Sequence, residues 1–156
     1  MNYQAKLLLP IGIIGIRCGL DALVGIDFLK SDTLLQKPQQ GIAQDVCEQL
    51  IAYFIDPDFS FNLILEPEGT VFQKGVWHAL SGIPSGQTSS YGSIAAEIGS
   101  SARAVGQACG ANPIPIVIPC HRVVSKVGIG GFMHQKAGHA LDIKRRLLMH
   151  ETKLLR

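Results

Sequence analysis

The sequence lacks the features that would place it in a membrane or in an oxidising compartment. None of its apolar runs reaches the roughly 18 residues that a membrane-spanning helix needs. The N-terminus has no basic stretch followed by an apolar core and a cleavage site, so we expect no export signal. The four cysteines contain no C-x-x-C pair, and their spacing favours no metal site. We therefore expect a cytoplasmic protein with reduced thiols and no membrane partner.

Acidic residues are scarce in the last third of the chain. Residues 100–156 carry nine Lys or Arg against Asp142 and Glu151, a net charge of +7. Residues 1–99 carry five basic and ten acidic residues, a net charge of −5. A basic half beside an acidic half is typical of a protein in which one half faces a polyanion. A solvated basic helix would give the same pattern.

The 156 residues are enough for one ordinary domain or two small ones. The composition and patterning predict an α+β fold with two lobes. The first lobe, 1–66, is expected to be a scaffold with an antiparallel sheet and one helix. Its strands are predicted at 7–17, 20–29 and 61–65. The helix is predicted by the apolar spacing of Ile42, Val46, Leu50 and Phe54, with Pro38 in its first turn and Pro57 after its end.

The second lobe, 70–156, is predicted to be mostly helical and to contain a helix-turn-helix. Helix caps and stop signals predict helices at 70–82, 91–98, 102–109 and 141–155. The two short helices 91–98 and 102–109 have the spacing of a helix-turn-helix, with Ser90 capping the first and Ser100 or Ser101 the second. A brief strand is expected at 116–118 and a Gly-rich hairpin at 128–132. On the last helix, Leu147 and Leu148 should face the core, and Lys144, Arg145 and Arg146 should face solvent.

Cys120 lies between Pro119 and His121 in a segment stiffened by three prolines. A cysteine held beside a histidine is either a core thiol or a nucleophile that the histidine activates. The acids that follow it in the chain, Asp142 and Glu151, are the candidates for orienting that histidine, and Glu151 lies late on the last predicted helix. Adjacent side chains on an extended segment point to opposite faces, so contact requires a bend at Cys120 or a bridging water. The residues alone leave both interpretations open.

The run 103–124, RAVGQACGANPIPIVIPCHRVV, resembles the signature of the O6-alkylguanine-DNA alkyltransferase family. The likeness extends to Ser90-Tyr91-Gly92, to Gly130-Gly131-Phe132 and to the last helix, and so covers most of 70–152. It implies direct-reversal repair, in which an O6-alkylguanine is flipped out of duplex DNA and its alkyl group moves irreversibly to Cys120, once per molecule. It also implies a monomer that needs no cofactor. O4-alkylthymine is a further candidate substrate.

The resemblance also implies a role for each matching residue in the reaction. Cys120 would accept the alkyl group, His121 would deprotonate it through a water, and Glu151 would orient His121. Asn112 would hold the turn around the active-site segment. Tyr91 would donate a proton to the leaving guanine.

The same resemblance places the second helix of the helix-turn-helix in the minor groove. Arg103 would take the place of the flipped base in the stack, and the small residues of that helix would allow close approach to the groove floor. The expected DNA contacts are Arg103, Tyr91, Ala102, Ser90, Gly106 and Arg122. The expected substrate pocket contains Val123, Phe132 and Met133. Residues 133–140 form an insertion relative to the usual family pattern, at the border of that pocket.

Each of these residues also has an ordinary structural explanation. Tyr91 suits a helix start, Arg103 a helix surface and Asn112 a turn, and Glu151 could pair with Lys144 or Arg145 along the helix. Two other functions therefore stay open on the residues alone. One is a non-catalytic helix-turn-helix protein that senses lesions, and the other is a cysteine hydrolase.

Overall fold

Three antiparallel strands form the sheet of the first of two units, Met1–Glu68 and Gly69–Arg156, in this computed structural model. The structure describes residues 2–135 and 138–152. The strands pair in sequence order as β1 (Ala5–Leu9), β2 (Gly12–Cys18) and β3 (Leu23–Phe28). Helix α1 (Ile42–Ile55) packs against β1 and β2. Its buried face includes Val46, Leu50 and Tyr53, each of which contributes on the order of 2 kcal/mol by leaving water.

The first predicted strand, 7–17, is wrong because it contains a tight turn. Pro10 and Ile11 connect β1 to β2, with Leu9 paired to Gly12. Gly12 adopts a φ of 121°, which favours glycine, and Pro10 cannot donate a ladder hydrogen bond. The run therefore folds back on itself and becomes two strands of one hairpin.

Two further predictions in the first unit need correction. Helix α1 begins at Ile42 after Gly41, so Pro38 precedes the helix. Residues 61–65 form no strand, because only Leu65 makes a bridge, to Leu23. Their backbone contact with the sheet is limited to a few hydrogen bonds, such as that from the Leu23 N–H to the Ile64 carbonyl.

Four α-helices dominate the described part of the second unit, as the sequence predicts: α2 (Val71–Leu80), α3 (Tyr91–Ile98), α4 (Ala102–Gly110) and α5 (His139–Glu151). Thr70 and Gln73 form a reciprocal capping box at the start of α2. The Trp77 indole N–H donates to the Ala108 carbonyl at 2.8 Å, which ties α2 to α4 in the buried interior.

The predicted helix-turn-helix is confirmed in α3 and α4, which pack together. The Ser90 hydroxyl accepts from the Ser93 N–H at the start of α3, and Gly99 ends that helix in the left-handed conformation with a φ of 70°. Ser101, of the two candidate caps, starts α4 by accepting from the Ala104 N–H. This short connection sets the N-terminal turn of α4 on an exposed face.

The strand predicted at 116–118 is instead a tight turn. The Ile118 N–H donates back to the Ile114 carbonyl, and Ile116 has a φ of 77°, a conformation rare for a β-branched residue. After this turn the chain forms a single 3₁₀ turn, Cys120–Arg122, and the short strand β5 (Val123–Val124). Strand β5 pairs in parallel with β4 (Ser89–Ser90). The chain is therefore bent at Cys120, which is one of the two ways in which Cys120 and His121 could meet.

Two predictions near the C-terminus also change. Residues 128–132 form no hairpin; isolated bridges join Ser125 to Gly128 and Phe132 to Gln135. Helix α5 ends at Glu151, and the predicted helical residues 153–155 lie outside the part that the structure describes. Among the residues that the structure describes, no helix combines the length and apolar character needed to cross a membrane.

Candidate active site

Cys120 lies in the wall of a cavity of about 740 Å³ in the second unit. The thiol is only 3% exposed. Helix α4 provides one side of the cavity, and the loop that includes Gly130, Gly131 and Phe132 provides another. A buried thiol that opens onto a concave space fits a nucleophile better than a core residue.

Burial raises the pKa of Cys120 to about 11, and the Asn112 side chain and the Lys144 charge act in the opposite direction. The resting thiol is therefore protonated at neutral pH. Since the thiolate is the reactive form of cysteine, the site needs a base that removes this proton as the reaction begins.

His121 has the environment of such a base. Its ring is fully buried, and burial lowers its pKa below the ordinary value although Glu151 opposes this shift. Its Nε2 lies 2.8 Å from Glu151 Oε2. Donation from Nε2 to this carboxylate leaves Nδ1 as the proton-accepting nitrogen. Nδ1 has no hydrogen-bond partner among residues 2–135 and 138–152.

Arg122, for which the resemblance implies a DNA contact, points into the protein in this structure. Its Nε and NH2 donate to the two oxygens of Glu151 at 2.9 and 2.8 Å, and its NH1 donates to the Ile83 carbonyl at 2.7 Å. The side chain is 12% exposed. A bidentate ion pair holds a carboxylate in a fixed orientation, so Arg122 positions Glu151 and, through it, His121. Glu151 forms these contacts rather than the alternative pairing along the helix with Lys144 or Arg145.

Asn112 fixes the backbone that leads to Cys120. Its amide nitrogen donates to the Ile118 carbonyl at 2.9 Å, and its amide oxygen accepts from the Ile114 N–H at 3.0 Å. Both bonds close the turn in which Ile116 has a positive φ. Asn112, which is only 1% exposed, therefore holds this turn closed.

Lys144 is the residue that the sequence misplaces most strongly. It was expected in solvent with Arg145 and Arg146, but it is fully buried. Its Nζ donates to the Val123 carbonyl at 2.7 Å and to the Gly131 carbonyl at 2.8 Å. Burial lowers its pKa to about 8, while the thiols of Cys120 and Cys109 raise it. An amine in this position supplies positive potential beside the thiol.

A signal for this burial is present in the sequence. Lys144 follows Leu141 by three residues and precedes Leu147 by three, so the helical period puts it on the buried face of α5. The charge of the side chain concealed this register, because lysine is rarely buried without partners.

Tyr91 begins α3 and lines the cavity. Its hydroxyl donates to the Gly131 carbonyl at 3.4 Å, the same carbonyl that accepts from Lys144. Burial raises the pKa of Tyr91 to about 12, so the hydroxyl stays protonated and can donate. Gly130, at a φ of 76°, faces the ring so closely that a Cβ would lie 2.8 Å from the hydroxyl oxygen.

The remaining predicted site residues divide into those that line the cavity and those that do not. Ala102, Arg103, Gly106, Phe132 and Met133 are part of its lining. Val123 is not part of the lining, because its side chain is fully buried. Its carbonyl accepts a hydrogen bond from Lys144. Ser90 acts as the cap of α3.

Fold and site together define a class: an α+β protein with a helix-turn-helix and a buried thiol beside a His–Glu–Arg network. Residues 71–153 match the family model for the DNA-binding domain of 6-O-methylguanine DNA methyltransferase. A methylated-DNA–protein-cysteine methyltransferase from Methanosarcina acetivorans is 40% identical, over 96% of this chain and 97% of that protein. The chain belongs to this family.

Solved structures give the same answer for the fold. A crystal structure of Mycobacterium tuberculosis O6-methylguanine methyltransferase is 36% identical, covers 97% of this chain and 93% of that chain, and has a TM-score of 0.81. The M. tuberculosis protein in complex with DNA is 37% identical, covers 94% and 91%, and has a TM-score of 0.78. The predicted activity, direct-reversal DNA repair by alkyl transfer to a cysteine of the protein, is thereby confirmed. A lesion sensor without transfer activity and a cysteine hydrolase are not supported.

Proposed function

We propose that Cys120 is the cysteine that accepts the alkyl group and that O6-alkylguanine in duplex DNA is the donor. The observation that carries this proposal is the position of Cys120, in the cavity wall and directly before a buried His121 that Glu151 holds. Cys109 lines the same cavity, but it lies on α4 and has no histidine beside it in the sequence. Sequence position and hydrogen bonding therefore single out Cys120.

The reaction begins with proton transfer from the Cys120 thiol to Nδ1 of His121 through a bridging water. Glu151 and Arg122 keep His121 oriented, and Glu151 stabilises the imidazolium that forms. The resulting thiolate lies near the Lys144 charge, which favours it. Asn112 holds the backbone so that this thiolate faces the cavity.

The thiolate then attacks the alkyl carbon, forming the C–S bond as the bond from that carbon to guanine O6 breaks. The leaving guanine gains negative charge, which a hydrogen bond from the Tyr91 hydroxyl stabilises, and the proton that His121 took from the thiol passes to the guanine through water. Lys144 shares the Gly131 carbonyl with Tyr91 and keeps that loop in place. The thioether is stable, so each molecule reacts once. The chain needs no cofactor, because the damaged base is the donor and the protein itself is the acceptor.

Helix α4 enters the minor groove in this proposal. Arg103 is exposed on its first turn, where it can occupy the space left by the flipped base. A stacked guanidinium offsets part of the few kcal/mol that flipping costs. The net charge of +7 in residues 100–156 predicts affinity for DNA that falls steeply with salt. We further propose that the protein acts as a monomer in a reducing compartment such as the cytoplasm, and that the first unit is a scaffold.

The decisive experiment is intact-mass spectrometry after incubation with duplex DNA that contains O6-methylguanine. The protein should gain the mass of one methyl group in exchange for one hydrogen, and Cys120→Ala should gain nothing. Cys109→Ala is the matched control, because it removes the other thiol of the cavity; it should still be methylated. Methylation of Cys120→Ala would disprove the assignment. A duplex with O4-methylthymine, run in parallel, tests the second candidate substrate.

A further inference from the structure

The stretch after Phe132, which the resemblance marks as containing an insertion, begins with a strained turn that reaches into the cavity wall. The Phe132 N–H donates to the Gln135 carbonyl at 2.8 Å, and the Gln135 N–H donates to the Phe132 carbonyl at 2.9 Å. Between them, Met133 has a φ of 51° and His134 a φ of 62°. A two-residue turn with both central residues at positive φ strongly prefers Asn and Gly, so Met and His occupy it at a cost. Such strain is often found at functional sites.

The His134 ring occupies a defined place against α4. A Cβ built at Gly110 would lie 2.6 Å from Cε1 and 2.8 Å from Cγ of His134. The imidazole therefore stands where a side chain of residue 110 would stand. Both Gly110 and His134 line the cavity that contains Cys120.

We propose that His134, placed by Gly110, is a specificity-determining residue that limits the size of the O6 substituent that the cavity accepts. This inference rests on the proposed function of Cys120. The turn at 133–134 reaches from the Phe132 side of the cavity to the C-terminal end of α4, so the ring forms a wall between the two. The site favours methyl over aryl-substituted lesions such as O6-benzylguanine.

The physical reason is steric. A glycine at 110 leaves a gap in the α4 wall, and the imidazole fills it. Removal of the ring enlarges the cavity at a place where the surrounding backbone is tied by paired hydrogen bonds and cannot simply collapse. A larger substituent gains this space, whereas methyl does not need it. A pocket discriminates by shape over roughly 10- to 200-fold for small changes in volume.

The test measures single-turnover rate constants with duplexes that carry O6-methylguanine or O6-benzylguanine. His134→Ala and Gly110→Ala should each raise the ratio of benzyl to methyl rates about tenfold, the first by removing the ring and the second by displacing it. The double variant should show little more than either single variant, because both changes remove the same wall. His134→Trp should lower the ratio. His78→Ala, at an exposed histidine of α2, is the control and should leave the ratio unchanged.

The outcomes separate this inference from the proposed function. If the wild-type protein methylates Cys120 but His134→Ala leaves the ratio unchanged or lowers it, the size-limiting role is disproved and the acceptor assignment stands. If the wild-type protein takes no methyl group at Cys120, the proposed function itself fails. His134→Gly adds a check on the backbone, since it removes the ring and also relieves the positive φ. A ratio that rises in His134→Gly and stays unchanged in His134→Ala would assign the effect to strain and overturn the steric proposal.

Discussion

The inner and outer walls of the cavity are built on different physical principles. We use inner wall for Cys120, which lines the cavity, together with His121, Lys144 and Glu151, which are buried behind it. These four residues are at most 3% exposed, and three of the side chains are bound through hydrogen bonds of 2.9 Å or less. The outer wall, Ala102, Arg103 and His134, is exposed. Buried polar groups must be satisfied by partners, so the inner wall has one arrangement. The outer wall faces solvent, where it can contact a ligand.

This difference assigns separate tasks to the two walls. Proton transfer and thiolate formation need fixed distances and low solvent access, which the inner wall provides. Approach to DNA and choice of substituent need exposed surface, which the outer wall provides. Changes in the inner wall should therefore slow alkyl transfer from any donor. Changes in the outer wall should depend on whether the donor is duplex DNA, or on what the substituent is.

The largest effect is expected from the base. His121→Gln removes the proton acceptor but keeps a polar side chain that can still bond Glu151, and the rate of alkyl transfer should fall about 1000-fold. Single-turnover kinetics with an O6-methylguanine duplex measure this loss. A matched histidine change at the surface, His78→Gln, should have no effect. A loss below tenfold in His121→Gln would mean that another group takes the proton.

Lys144 is a buried charge that belongs to the inner wall. Lys144→Met keeps the length of the side chain but leaves the Val123 and Gly131 carbonyls without their donor and removes positive potential from the thiolate. We expect a loss of about 100-fold with duplex DNA and with free O6-benzylguanine alike. Arg145→Met on the exposed face of α5 is the control. If Lys144→Met and Arg145→Met transferred the alkyl group at equal rates, Lys144 would have no role in the reaction.

The pH dependence of the rate follows from the same two residues. His121 must be neutral to accept a proton, and burial lowers its pKa, so activity should persist below pH 6.5 and fall only as the pH drops through that lowered value. Lys144 must be charged, and its pKa of about 8 means that the rate should decline as the pH rises through 8. Rate constants measured over the pH range of the folded protein should give this bell shape. The decline above pH 8 should be absent in Lys144→Met.

Much of the fold follows from local signals in the sequence. The helices α2, α3 and α4 are predicted within one or two residues, because Thr70, Ser90, Ser101 and Gly99 are caps whose effect does not depend on distant contacts. The hairpin at Pro10 and the turn at Ile116 were missed. In both, an apolar run that suits a strand is bent by proline and by contacts from Asn112 or a paired strand.

The candidate site shows the same limit more sharply. The resemblance names Cys120, His121, Asn112 and Glu151, and the structure brings these residues together. The resemblance does not reveal that Arg122 turns inward and that Lys144 is buried. An arginine or lysine is expected at the surface unless its buried partners are known. Those partners are backbone carbonyls and a carboxylate from segments distant in sequence. His134 was hidden for a similar reason, since its place depends on Gly110.

Arg103 tests the outer wall. Arg103→Ala should slow repair of an O6-methylguanine duplex roughly 30-fold, because flipping loses on the order of 2 kcal/mol of compensation. The rate with free O6-benzylguanine should stay within twofold of the wild type, since no base has to leave a stack. Lys74→Ala, on the exposed face of α2, serves as the control for lost charge. If Arg103→Ala also slowed the reaction with free O6-benzylguanine about 30-fold, Arg103 would act on alkyl transfer itself. The inner and outer walls would then not have separate tasks.

Arg122 gives the smallest effect on rate and the clearest contrast with its sequence-based prediction. Arg122→Ala leaves Glu151 buried without its bidentate partner, which should lower the free energy of unfolding by about 3 kcal/mol. His121 then loses a fixed partner, and transfer should slow about tenfold. Arg122→Lys keeps the charge and should therefore lose less of the free energy of unfolding and less of the transfer rate than Arg122→Ala. Because the guanidinium lies inward, the Kd for undamaged DNA should change less than twofold. A large loss of DNA affinity with unchanged stability would instead place Arg122 on the DNA, as the sequence predicts.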